Sequence, residues 1–119
     1  MQIIRNDPSS AARADSPLFR GEVMSRTLVD KAASEQIRVG LVEFSAGGRN
    51  VMHTHTFDQV LVITEGEGIV ATPGGELRVR AGDVAVIPAG EPHWHGATEG
   101  TAMSHLAIGQ HGSTAIVEG

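Results

Sequence analysis

From Phe19 onward the chain is cut by turn signals into short apolar segments. The breaks are SAGG (45–48), TEGEG (64–68), TPGGE (72–76), AGD (81–83) and PAGEP (88–92), and each carries Gly or Pro. Such residues supply turn conformations or stop strand pairing, so the pieces between them are held to strand length. The pattern predicts strands near 19–29, 37–44, 50–55, 59–64, 68–72, 76–80, 83–87, 93–96, 101–109 and 114–118. Only DKAASEQ (30–36) offers a helical turn, and it is as easily a loop. So many short strands predict an all-β sandwich or barrel. VLVI (60–63) and VAVI (84–87) are continuous apolar runs, which predicts strands covered on both faces. Aromatic residues make up only 3%, so the core must be aliphatic, which again favours strands. At 119 residues the chain fits one domain. Residues 1–17, polar and holding Pro8 and Pro17, read as an N-terminal arm, and 18–119 as the domain.

Charge narrows the partners. Nine basic residues against fourteen acidic ones give a net charge of -5, with no basic run, which argues against nucleic-acid binding. The absence of cysteine removes disulfides, thiol catalysis and thiolate metal sites. MQIIRNDPSS has no apolar stretch of a signal peptide, and no run approaches the roughly 18 apolar residues of a membrane span. The expectation is a cytoplasmic protein that meets a small-molecule substrate, with no membrane partner.

Five of the six histidines are His53, His55, His93, His95 and His105. On a strand, spacing i, i+2 sends both rings to one face, so His53 and His55 point together, as do His93 and His95. With the 53–63 segment extended, the same parity keeps Phe57 and Gln59 on the His53/His55 face and turns Asp58 away. It sends Trp94 outward, where packing on the barrel exterior is favoured over a dimer contact. Neutral imidazole is a common metal ligand, and several rings gathered in one barrel call for a cation.

The spacing around the pairs is more specific. Gly47 is followed by five residues, His53, one residue, His55, three residues, Gln59, six residues and Gly66. Gly82 is followed by five residues, then Pro88, Ala89, Gly90, two residues and His93. Gly47–Gly48 and Gly66 suit tight turns with positive φ, and Pro88 and Pro92 stiffen the loop that delivers His93. These two stretches resemble the two motifs of the cupin superfamily, over about residues 47–97. The resemblance implies a single cupin barrel (a double-stranded β-helix, or jelly roll) holding one divalent metal. His53, His55 and His93 occupy the histidine ligand positions. Gln59 stands where most cupins have Glu, and Ala97 where the second motif often has Asn.

GEPHWHGATEGTAMSHLAI (90–108), the HxH…Gln arrangement and the FxG segment Phe19–Gly21 are similar to small manganese-dependent cupin hydroxynitrile lyases, whose relatives are often labelled carboxymuconolactone-decarboxylase-like. That likeness implies reversible cleavage of a cyanohydrin to an aldehyde and cyanide. It implies His53, His55, Gln59 and His93 as metal ligands and Mn2+ as the metal, with Fe2+, Zn2+, Ni2+ or Co2+ as alternatives. His105 is then the base that handles the proton of HCN, and His95 is a second candidate by position. Small cupins of this kind commonly dimerise, so a homodimer or higher homo-oligomer is expected.

Gln59 offers a neutral oxygen where a carboxylate would cancel half the ion's charge. As a ligand it leaves the ion a stronger Lewis acid, held somewhat less tightly, and disfavours Fe(III). The alternative is that Gln59 only hydrogen-bonds a ligand histidine. IRVGLVEF (37–44) should line the pocket mouth, where Gly40 leaves room. A metal-dependent dioxygenase and a non-catalytic cupin that binds a small ligand or metal are the competing functions.

Overall fold

The computed structural model describes residues 1–117, and among them twelve strands form. The arm reaches the domain through β1 (Ala12–Arg13), which pairs antiparallel with β3 (Val23–Val29). β3 pairs with β4 (Ile37–Phe44), β4 with β11 (Met103–Gln110), and β11 with the first half of β7 (Gln59–Thr72). β9 (Val84–Ile87) lies along the other side of that half. The second half of β7 pairs with β8 (Gly75–Arg80) and β10 (Trp94–Ala97), and β10 continues through β5 (Arg49–Asn50) to β2 (Phe19–Arg20). A separate antiparallel pair joins β6 (His53–His55) to β12 (Thr114–Ile116). The result is the all-β curled sheet that the turn rhythm predicts. Residues 30–36 form turns, not a helix.

β7 departs from expectation. TEGEG reads as a turn between two strands, yet the chain runs through it as one 14-residue strand. Gly66 makes this possible, because its φ of 76° bends the strand so that its two halves serve two sheets. A Cβ there would run into the Ala102 carbonyl oxygen. Gly66→Ala combines left-handed strain with that backbone clash, so it is expected to cost about 3 kcal/mol or more in urea unfolding. Gly100→Ala, where an added Cβ meets nothing, is the matched control. Gly47 also has positive φ, whereas Gly48 does not and is instead closely approached by the Glu22 and Ser45 carbonyls.

Two other expected strands divide. The 19–29 strand breaks at Gly21, and 50–55 breaks after Asn50, where Val51 bonds back to Leu18. The last expected strand spans 114–118; β12 covers Thr114–Ile116 and residue 118 lies outside the described residues.

Val23, Phe44, Ile63, Ala97 and Met103 form one core cluster, and Leu61, Val70 and Ile87 a second. VAVI is not covered on both faces: Ile87 is buried, but Val84 and Val86 are 58% and 69% exposed. β9 pairs only with β7, and among the described residues no further layer packs over its outer face. No helix of the described residues is long and apolar enough to cross a membrane.

Candidate metal centre

The two histidine stretches are joined by reciprocal backbone bonds. His53 N donates to His93 O at 2.9 Å, and His93 N to His53 O at 3.0 Å. Strand alternation then turns His53 and His55 inward together, as parity predicts, with ring centroids 4.7 Å apart. The His93 ring lies 4.2 Å from that of His53 and 5.2 Å from that of His55. The three buried rings offer ligand atoms within 4.8 Å of one another, so this group could hold a metal ion.

Their hydrogen bonds fix the tautomers. The Val51 carbonyl, 2.6 Å from His53 Nδ1, can only accept, so that nitrogen carries the proton. The Glu91 carbonyl does the same for His93 Nδ1 at 2.9 Å. His55 Nδ1 meets Thr114 Oγ1 at 2.8 Å. For His53 and His93 the lone pair is thereby left on Nε2, the inward nitrogen that a metal requires. His55 Nε2 is buried without any partner. Gln59 is buried, and its Oε1 lies 3.3 Å from His93 Nε2, an acceptor facing an acceptor. An orphaned ring nitrogen and two opposed lone pairs fit a cation between them.

Charge points the same way. Burial first, with a smaller contribution from the neighbouring His93, holds both His53 and His55 down to about 4. Burial also lowers His93. All three rings are therefore neutral at pH 7, the form that ligates. Asp58 is turned away, its Oδ1 accepting from Ala89 N at 2.8 Å.

A second polar group lies deeper. His105 is fully buried, with Nε2 3.0 Å from His95 Nδ1. Both rings pack against Phe44, His105 tilted with its centroid 5.4 Å away and His95 edge-on at 6.1 Å. Burial lowers His95 well below the ordinary value and His105 to about 4, so His105 is a weaker base than an exposed histidine. Trp94 points outward, with the Arg49 guanidinium 3.6 Å above its ring, in line with external packing.

Asn50 carries a role that the sequence reading missed. It is buried, and its Oδ1 accepts from His95 N at 2.8 Å. A backbone N–H can only donate, so the amide orientation is fixed and Nδ2 faces the His95 ring, 3.2 Å from Nε2. Asn50→Ala would leave a buried N–H unpaired, and we expect a loss of about 2 kcal/mol by urea unfolding. Thr114 was missed as well, since nothing in a tail residue announces a contact with a ring 59 positions away. The signal for Asn50 was present: a lone carboxamide three residues before the first histidine pair.

These groups open into a cavity of about 160 Å³. Its walls include His53, His55, Gln59, His95 and His105, with Phe57 stacked 4.9 Å over His55. Phe57 is seated where Gly109 and Gly112 have no side chain. An engineered cavity of ~150 Å³ admits benzene, so the space suits a ligand of monoaromatic size.

Residues 40–109 match the Cupin domain family. The chain is a cupin. It is 35% identical over 109 residues to an (R)-mandelonitrile lyase of Granulicella tundricola, covering 91% of this cupin and 83% of that protein. A dimethylsulfoniopropionate lyase of Ruegeria pomeroyi is 36% identical over 75 residues, covering 61% of this cupin and 49% of that protein. A cupin-like protein of Thermotoga maritima superposes with a TM-score of 0.85 at 28% identity, covering 91% of this cupin and 85% of that chain. The cupin thus has relatives named as lyases and three histidines able to hold a metal.

Proposed function

We propose that this cupin is a metal-dependent lyase that cleaves or forms cyanohydrins or similar small hydroxy and carbonyl compounds. The observation that carries the reading is one cavity walled both by neutral nitrogen donors and by the separate His95–His105 pair. The (R)-mandelonitrile lyase relative supports the substrate class. His53, His55, His93 and Gln59 would hold a divalent metal, Mn2+ in our reading, which when bound supplies Lewis acidity toward a hydroxyl or carbonyl oxygen.

The remaining work falls to the chain's own groups. In cleavage the bond between the carbinol carbon and the nitrile breaks, and its electron pair leaves with cyanide. His105 takes the hydroxyl proton at Nε2, exchanging its bond to His95 Nδ1 for one to the substrate, and returns the proton to cyanide as HCN. His95, held by Asn50, positions the His105 ring until the substrate takes over that bond. Phe57 and the aliphatic wall of Val42 and Ala107 exclude water around the organic part of the substrate.

The test is to load the purified protein with Mn(II) and add mandelonitrile. Benzaldehyde release above the metal-free and His105→Ala controls is expected. General acid–base groups contribute roughly 10²–10⁴-fold, so His105→Ala should lower the rate at least about 100-fold while leaving the metal content unchanged. Release at the control rate would refute the reading.

A further inference from the structure

Among the described residues of this acidic chain, the cavity wall carries no acid. The sequence holds fourteen Asp and Glu residues, yet among the described residues none lines this cavity. The side chain at its mouth that carries a full charge is Arg38. Among the described residues the ion pairs are Arg13–Asp15 and Arg26–Glu43, and Arg38 belongs to neither.

Arg38 is held in place without an acidic partner among the described residues. Its Nη2 donates to Thr27 Oγ1 at 3.3 Å. Its Nη1 lies 4.0 Å from where a Cβ of Gly40 would stand, so the guanidinium folds back over the space that Gly40 leaves empty. Arg38, Gly40 and Val42 share one strand face, and β4 sets them beside Gly109, Ala107 and His105. Two residues along a strand span about 7 Å, so the folded-back guanidinium sits roughly that far outward from the level of His105.

We infer that the substrate carries a carboxylate, bound at the mouth by Arg38, about 7 Å from the carbon that reacts beside His105. The inference rests on the cavity being the substrate site, as proposed above, and narrows that substrate to an anion. A planar guanidinium presents a fork of N–H donors that matches a carboxylate. At the inner end every donor group is neutral, so no charge there opposes an anion. In a ring the size of the cavity, a carboxylate para to the reacting carbon spans the distance.

The probes are 4-formylbenzoate and its neutral isostere 4-formylbenzamide, with binding to the metal-loaded and metal-free protein followed by calorimetry. The wild type is expected to bind the carboxylate about 10-fold tighter at low salt, and the preference should shrink at about 0.5 M NaCl as the charge is screened. Arg38→Gln should bring the two ligands to within about 2-fold without changing the affinity for the amide, and Arg38→Lys should keep part of the preference. Arg38 is exposed, so both variants should fold, which circular dichroism checks. A wild type without preference, or an Arg38→Gln variant that retains it, overturns the inference. Turnover is scored separately with the corresponding cyanohydrins. A carboxylate preference without turnover sinks the lyase reading alone, and turnover without a carboxylate preference sinks this inference alone.

Discussion

His53→Ala is expected to remove the proposed metal and the proposed lyase activity together. The ring is 1% exposed, its Nδ1 is committed to Val51, and its Nε2 has the other two histidines as neighbours. With alanine in its place, two histidines and an amide oxygen remain, too few to retain a divalent ion of this kind. Elemental analysis should find at least about 10-fold less Mn(II), and benzaldehyde release should fall by 10³ or more, about 4 kcal/mol of transition-state stabilisation. Gln59→Glu separates holding the metal from using it. The added carboxylate should tighten metal binding while slowing cleavage, because it cancels half the ion's charge. Unchanged affinity together with unchanged rate would show that Gln59 is not a ligand, and the charge account of this site would fail.

Much of this site is legible because it is local. His53 and His55 share a face through strand parity. Phe57 and Gln59 reach the same cavity across a bend at 56–57 that interrupts the strand, and Asp58 is turned away by its bond to Ala89. Motif spacing brings His93 to the first pair, since Gly82, Pro88 and Gly90 set the loop that ends in the His53–His93 bridge. What stays hidden depends on contacts between distant segments. Thr114 reaches His55 only because the tail folds back along β6, and Asn50 meets His95 only because β5 and β10 are neighbours. TEGEG misleads for a similar reason: Gly66 signals a bend, but whether that bend ends a strand depends on Ala102 lying across it. VAVI misleads in the opposite direction. Its apolar run promises cover that the single chain does not supply for Val84 and Val86.

Acid should unfold the metal-free protein far more readily than its acidic composition implies. The decisive groups are the buried histidines, and His105 is the clearest because it lies outside the proposed ligand set. Burial lowers it from 6.5 to about 4 in the folded state, while the unfolded chain keeps the ordinary value. Between those values the unfolded chain binds more protons, so stability rises with pH. The contribution is complete above about 6.5, is lost progressively as pH falls, and is gone below about 4. A shift of this size corresponds to roughly 3 kcal/mol for one ring, a large part of the 5–15 kcal/mol that usually holds a domain together. His53 and His55 are lowered to about 4 in the same way, so several rings titrate in one window. Urea midpoints measured from pH 7.5 to 4.5 in the presence of a chelator should therefore fall steeply below 6.5. His105→Gln should reduce the slope by about one proton, because the group that must charge on unfolding is gone. Added Mn(II) should move the whole acid transition to lower pH, since a bound ion favours the folded state with its ligands deprotonated. A flat profile in chelator would mean that these rings are not buried and neutral, and the tautomers assigned to His53 and His93 would lose their basis.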